Sequence, residues 1–141
     1  MPAFNAVNTF RQHLAQGVHN FDSDTFKLAL TNVAPDAADV LLSDITQIAN
    51  GGGYTAGGYT LDNFTVVPSG ANVKITVDEE TVTATTGGLA AFRYLVIYND
   101  TSTSPADPII GWIDQGESRS FLEDEQFRLR FDAALGAISI A

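Results

Sequence analysis

The sequence has no cysteine, and this absence removes several kinds of function at once. Without a thiol there is no cysteine nucleophile, no thiolate zinc site and no disulfide framework. A chain of 141 residues does not need such staples, because a domain of this size removes about two thirds of its unfolded surface from water. Hydrophobic residues make up 45% of the chain, which is typical of a folded domain and not of a disordered one.

Long apolar runs are also missing. No stretch approaches the roughly 20 apolar residues that a membrane-spanning helix needs. At the N-terminus, no basic stretch precedes an unbroken apolar one, so the start does not look like a secretory signal. We therefore expect no membrane partner and a mature chain that begins at or near Met1.

Basic residues are scarce. Seven lysines and arginines stand against 17 acids, which gives a formal net charge of −10. A surface of that sign repels phosphate backbones and anionic membranes, so we expect no nucleic-acid partner. The acids occur in small groups, such as Glu123 to Glu125, and are expected to be solvated at turns.

The first segment, Phe4 to Gln16, has a helical pattern. Val7, Phe10 and Leu14 recur at helical spacing. Gly17 follows at a position where helices commonly end. The pattern predicts a short amphipathic helix.

The rest of the chain alternates apolar and polar residues with the period of strands. Thr25 to Thr31 indicates a first strand, and Ser43 could cap a brief helical turn that runs to Ile48. Phe92 to Tyr98 is apolar on both faces, which is typical of a central strand, and Ile109 to Ile113 is similar.

Two hairpins and a last strand complete the prediction. Val73 to Val77 is expected to turn at Asp78 to Glu80 and to pair with Thr81 to Thr85. Ser118 to Leu122 is expected to pair with Gln126 to Asp132, and the segment with Ile138 and Ile140 forms a final strand. The fold expected is mainly β: one domain over 1–141, with an N-terminal helix or arm at 1–17 and an antiparallel β-sandwich or barrel, jelly-roll-like, at 18–141.

A glycine-rich segment interrupts the strand patterns at residues 50–59. Gly51 to Tyr59 reads GGGYTAGGY, and glycine loses the most backbone entropy when it is ordered, so a loop is expected. The segment lacks the Lys-Ser/Thr ending of a P-loop and leads into a strand pattern. A loop that is flexible or ordered by a partner is therefore favoured over a nucleotide site.

No catalytic or metal-binding group stands out, and we expect a protein that is not an enzyme and has no cofactor. His13 and His19 are the only histidines, and their spacing does not place both on one helix face. We expect His13 at the surface of the helix end and His19 in a turn. Asp22 and Asp24 lack the remaining spacing of a calcium loop.

The arginines indicate assembly. Arg128 and Arg130 share the outer face of one predicted strand, with Arg119 on its predicted partner. Arginine is enriched at protein interfaces, although pairing with nearby acids of the same chain is about as plausible. Apolar residues on both faces of the central strands also need cover by another sheet or chain. We therefore expect a homo-oligomer, a dimer or a trimer.

Three motifs resemble a family of small virion structural proteins of tailed bacteriophages. They are the D-T-x-K-[LV]-A-L-T strand at Asp24 to Thr31, the D-I-T-x-I-A-x-G-x-G-Y-T segment at Asp44 to Thr55, and the Y-N-D-T…P-[IL]-I-G-W segment at Tyr98 to Trp112. The resemblance covers Gly17 to about Gly136. Proteins of this kind are head or tail components, so the motifs are specific to the family but not to one task.

The resemblance implies a capsid decoration, or cement, protein that bridges neighbouring subunits of the major capsid protein. Its location would be the capsid exterior of the virion, after synthesis in the cytoplasm of the host bacterium. The segment around Phe4, Val7 and Phe10 and the loop around Tyr54 and Tyr59 are the expected contacts. The full set of predicted interface residues is Phe4, Val7, Phe10, Gly51, Gly52, Gly53, Tyr54, Tyr59, Arg128 and Arg130.

Two alternatives remain open at this point. One is a tail component, such as a tube, terminator or fibre-base protein. The other is a carbohydrate-binding adhesin module, in which exposed Tyr54, Tyr59 and Trp112 would stack on sugar rings. Core packing of Trp112 is the favoured interpretation of that residue.

Overall fold

The computed structural model describes residues 4–129 and 138–140, and for 138–140 and Ser69 the backbone alone. Within this part the chain is mainly β, and every strand pair is antiparallel. The strands are β1 (Phe4–Ala6), β2 (Phe26–Thr31), β3 (Tyr59–Thr60), β4 (Thr65–Ser69), β5 (Asn72–Thr76), β6 (Glu80–Thr83), β7 (Leu89–Asn99), β8 (Ile109–Phe121), β9 (Gln126–Leu129) and β10 (Ile138–Ile140). The helices are α1 (Phe10–Ala15) and a 3₁₀ turn (Leu42–Asp44).

A five-stranded sheet in the order β1-β8-β7-β2-β3 is the centre of the fold. Strand β7 lies in its middle and pairs with β8 on one side and β2 on the other. All residues from Leu95 to Asn99 are buried, so both faces of this strand are covered. The prediction of a central strand is confirmed.

Two smaller sheets accompany the large one, in the orders β10-β5-β4 and β6-β9. No sheet closes into a barrel within the described ranges. Ile75 of β5 and Val82 of β6 belong to the same buried cluster as Leu28 and Ile97 of the large sheet. The three sheets therefore share one hydrophobic core.

Both predicted hairpins are wrong in their partners. Strand β5 pairs with β4 and β10, and β6 pairs with β9, which does not pair with β8 within the described residues. The last part of the second predicted hairpin, Arg130 to Asp132, lies outside the described residues. Alternation of apolar and polar residues reports which face of a strand is buried, but it carries no information on the neighbouring strand. The turn at Glu123 to Glu125 and the short strand β10 are present as predicted.

The N-terminal helix is shorter than predicted, since Phe4–Ala6 forms an edge strand on β8. The helix ends as expected at Gly17, which has φ 76°. The amide of Gly17 donates to the Leu14 carbonyl (3.2 Å), and that of Val18 donates to the His13 carbonyl (2.9 Å). This pattern is a Schellman motif, in which glycine at the left-handed position reverses the chain.

The helical turn predicted after Ser43 lies earlier, at Leu42–Asp44, and Ser43 does not cap it. The turn is capped instead by Asp44, which lies within it. The carboxylate of Asp44 accepts hydrogen bonds from the backbone amides of Val40 and Leu41, each at 3.0 Å. These two bonds lower the pKa of Asp44, because they stabilise the charged carboxylate.

Candidate functional site: a surface of three loops

The glycine-rich loop is held in place by its own chain. Tyr54 is buried, and its hydroxyl donates to the side-chain oxygen of Gln47 and accepts from the Leu30 amide at 3.2 Å. The same Gln47 oxygen accepts from the Gly57 amide at 2.8 Å. These bonds tie the loop to the large sheet through β2, so the expectation of a flexible or partner-ordered loop is wrong.

Two further tyrosines bind the loop backbone. The hydroxyl of Tyr59 donates to the Gly53 carbonyl at 3.0 Å, and the hydroxyl of Tyr98 donates to the Gly57 carbonyl. Burial raises the pKa of Tyr59 to about 12, and it also raises the pKa of Tyr98. Both phenols therefore stay protonated donors across the physiological pH range.

Glycine is required at two positions of this loop. Gly52 has φ 63°, and a Cβ atom there would overlap the Gly88 carbonyl. Gly58 has φ 79°, and a Cβ atom there would overlap the Leu28 carbonyl. Both backbones lie against neighbouring backbone, so the glycines are needed for close packing as well as for the turn.

The loop lies beside two other loops, the predicted turn at Glu123 to Glu125 and a loop at 84–88 that the sequence did not single out. The Thr85 amide donates to the Gly52 carbonyl at 2.8 Å, and the Asp124 amide donates to the Ala84 carbonyl at 2.8 Å. The Ala84 amide donates in return to the Glu125 carbonyl at 2.9 Å. We call the surface formed by residues 50–58, 84–88 and 122–125 the three-loop surface.

Leu122 is the most prominent side chain of the three-loop surface. It is 75% exposed, more than the other exposed large hydrophobic residues of the described chain, of which Val33 is next at 57%. Its amide donates to the carboxylate of Glu125 at 2.6 Å, which fixes the turn that carries it. Exposed Glu123, Asp124 and Glu125 follow it, so an apolar side chain stands beside a cluster of negative charge.

The predicted contacts at the N-terminus have other roles. Val7 and Phe10 are 3% and 2% exposed and belong to the core, and Phe4 packs against that core. The rings of Phe4 and Phe10 meet edge to face at 6.4 Å. The prediction that Val7 and Phe10 are contact residues is wrong, because their apolar surface is already covered within the chain.

Three arginines of the described chain, Arg93, Arg119 and Arg128, have acidic neighbours. Arg128 lies 3.9 Å from Glu79, and Arg119 lies 2.6 Å from Glu117. Arg93 and Asp114 form a bidentate salt bridge, with nitrogen–oxygen distances of 2.8 and 3.1 Å. Arg130 lies outside the described residues, and pairing of Arg128 with another chain stays a prediction.

The aromatic residues considered for sugar stacking are not a common platform. Tyr54 is buried, and its ring meets Tyr59 at 5.8 Å inside the loop. Trp112 is half-buried and packs against the core from β8. The expectation that these three rings are exposed is therefore wrong for Tyr54, and core packing of Trp112 fits its contacts.

The structure contains a buried pair of histidines that was not predicted from the sequence. His13 and His19 are 7% and 4% exposed, and their ring centroids are 5.9 Å apart. The chain reversal at Gly17 brings them together. The expectation of a surface position is wrong for His13, whereas His19 lies after the turn, outside any helix or strand, and is buried. The signal that could have found them is the phenylalanine set around the turn, since Phe10 and Phe21 both contact the His19 ring.

The polar partners of His19 are at the start of β2 and the end of β7. The side-chain amide nitrogen of buried Asn99 lies 3.1 Å from His19 Nδ1 and donates to the Asp24 carboxylate at 2.8 Å. Burial and the neighbouring His13 lower the pKa of His19 to about 4, although Asp24 opposes the shift. His19 is therefore neutral at physiological pH.

The described residues contain neither a membrane-spanning helix nor a metal-binding cluster. No helix there is long and apolar enough to cross a membrane. No group of three or more histidine, aspartate or glutamate side chains in residues 4–129 could hold a metal ion.

Comparison with protein-family models, curated proteins and solved structures found no match. The resemblance to virion proteins therefore remains a prediction from the motifs.

Proposed function

We propose that this protein is a non-enzymatic structural component of a tailed bacteriophage virion. In this proposal it binds the outside of the capsid as a decoration protein and bridges subunits of the major capsid protein. The motifs at Asp24 to Thr31, Asp44 to Thr55 and Tyr98 to Trp112 favour the virion family. The three-loop surface supplies the docking site.

The observation that carries the proposal is an exposed apolar residue on loops held by backbone hydrogen bonds. Residues 50–58, 84–88 and 122–125 are linked to one another before any partner arrives. Docking then costs little conformational entropy, because the loops are already ordered. Leu122 is the apolar anchor of this surface, because its side chain is 75% exposed and available to a partner.

Charge defines the partner surface that would fit. The acids at 123–125 lie beside Leu122, so the matching site on the capsid should be an apolar pocket with basic residues around it. Binding to such a site should weaken as salt increases, because salt screens exposed charges.

The proposal includes a sandwich or jelly-roll arrangement and a homo-oligomer. The shared core of the three sheets supports packing of β5 and β6 on the large sheet. Repeated contacts on a symmetric shell would let many weak interfaces act together, which suits an oligomer on the capsid.

A sedimentation experiment with matched variants tests the proposal. Expanded capsids that lack the protein, and separately tails, are mixed with the wild-type chain, with Leu122→Ser and with Val33→Ser. We expect saturable binding to capsids, about tenfold weaker for Leu122→Ser and unchanged for Val33→Ser, which removes an exposed apolar residue elsewhere. Binding only to tails would assign the protein to the tail.

A further inference from the structure

Among the strands that the structure describes, β4 is the unpaired edge of the sheet β10-β5-β4. It carries Val66 and Val67, which are 41% and 37% exposed. An edge strand presents backbone donors and acceptors that can pair with another strand, and proteins usually protect such edges with charged side chains. Residues 64–73 contain no charged residue at all.

The turn of the β4-β5 hairpin determines which backbone groups face outward. Gly70 has φ 64° and Ala71 is not among the residues with positive φ, which is the pattern of a type II′ turn. The residues that flank such a turn, Ser69 and Asn72, form a hydrogen-bonded pair, and the pattern alternates along the ladder. Val67 and Thr65 therefore bond to β5, whereas Val66 and Pro68 face away from it.

The position of Pro68 agrees with this assignment. Proline has no amide hydrogen, so it fits an edge strand where its nitrogen points to solvent. On the outer edge, Val66 therefore offers both a donor and an acceptor, whereas Pro68 offers an acceptor alone.

We propose that β4 pairs antiparallel with β4 of a second copy of this chain, with Val66 on the two-fold axis. Val66 then exchanges both hydrogen bonds with Val66 of the other copy. On either side, the amide of Phe64 donates to the Pro68 carbonyl across the axis. A register centred on Pro68 would lose both central bonds, so Pro68 disfavours that register and leaves Val66 as the outward residue of β4 with both a donor and an acceptor.

Charge and side-chain chemistry favour a second copy over another occupant. Two chains of net charge −10 repel each other, and the absence of charge from residues 64–73 lets two copies approach closely along this edge. Side chains directly opposite in an antiparallel pair pack together, and β-branched pairs such as Val66 with itself are favourable. A basic strand of another protein would find no acidic side chain along this edge.

The test measures mass and hydrogen exchange of the purified protein without any capsid, so its result does not depend on capsid binding. Sedimentation equilibrium should show a monomer of 15.0 kDa that associates to a dimer as concentration rises. The Val66 amide should be protected from hydrogen exchange in the dimer and exchange freely in the monomer. A monomer at all concentrations, or a dimer whose Val66 amide exchanges freely, would overturn the inference.

Variants at one position isolate the edge. Val66→Pro removes the outward donor without touching the β4-β5 ladder, and Val66→Lys places like charges on the axis. Each should raise the dimer dissociation constant by at least about tenfold. Val66→Thr, which keeps the donor, and Val33→Lys, which adds a charge elsewhere, should leave it unchanged. Unchanged dimerisation of Val66→Pro and Val66→Lys would contradict the inference.

Discussion

Gly52 illustrates how a single residue can be required by its neighbours. Its backbone lies against the Gly88 carbonyl, and no side chain fits between them. Gly51, one residue earlier, has φ 126°, and a Cβ atom there would meet open space. The two glycines share backbone conformations that disfavour other residues, but only Gly52 is also confined by packing.

This difference gives a matched pair of variants. Gly51→Ala should lower the free energy of unfolding by about 1 kcal/mol, because alanine disfavours a positive φ. Gly52→Ala should cost about 2 kcal/mol more, since the backbone around 88 must move. Urea unfolding of both variants measures the difference. Equal losses of unfolding free energy in the two variants would contradict the close packing of Gly52 against Gly88.

His19 makes stability depend on pH. Its pKa is about 4 in the folded chain, against about 6.5 when it is unfolded and exposed to water. Between pH 6.5 and 4 the unfolded chain binds more protons at His19 than the folded chain does. The free energy of unfolding therefore rises with pH, and the contribution of His19 to it is lost as pH falls from 6.5 towards 4. The loss from this residue between pH 7 and pH 4 should be about 3 kcal/mol.

The variant His19→Gln isolates that contribution. Other carboxylates titrate in the same range, so the informative quantity is the difference between the two proteins. Urea unfolding at several pH values should give a steeper decline for the wild-type chain between pH 6.5 and 4. Parallel pH profiles would contradict the buried, neutral state of His19.

At the residue scale, the sequence was informative where the determinant is local. Gly17 could be predicted as a helix end, because a glycine directly after an amphipathic stretch is a local signal. The burial of His19 is signalled only in part by nearby Phe10 and Phe21, because it also depends on Phe26 and Asn99, which the sheet brings to it. Likewise, nothing near Tyr54 in sequence indicates that its hydroxyl binds the backbone of β2.

At the scale of the elements, strands were predictable and their partners were not. The alternation in Thr25 to Thr31 and Phe92 to Tyr98 matches β2 and β7, which pair with each other across a long stretch of sequence. The expected β5-β6 hairpin failed because β6 finds its partner in β9, far along the chain. Strand partners are set by the whole core, to which Val82 and Leu129 both belong.

The absence of cysteine allows a direct test of the β6-β9 pairing. Thr83 and Gln126 are opposite each other in the register, and both are exposed. With both residues replaced by cysteine, mild oxidation should form a disulfide, because opposed residues of an antiparallel pair meet the distance that the bond requires. Titration of free thiols measures its formation.

A control pair covers the alternative hairpin. Val77→Cys with Thr81→Cys places thiols across the turn expected from the sequence, where the structure has no β5-β6 pair in residues 4–129. These thiols should stay free under the same conditions. A disulfide in the control and none in the first pair would reverse the assignment of the strands.

At the scale of the whole molecule, a chain of net charge −10 has two surfaces with exposed apolar side chains. The three-loop surface presents Leu122 beside acids, and the β4 edge presents Val66 without nearby charge on its strand. In the proposed virion role, the first region docks on the shell and the second joins two copies. Each can fail separately, since one needs the capsid and the other does not.

The most direct test of the central claim is an image of capsids saturated with the protein. Expanded capsids that lack it are incubated with the wild-type chain and reconstructed by cryo-electron microscopy. A decoration role predicts added density at symmetry-related positions on the outer surface, with the loops at 50–58, 84–88 and 122–125 facing the shell. Absence of added density, or density in which these loops face solvent, would contradict it.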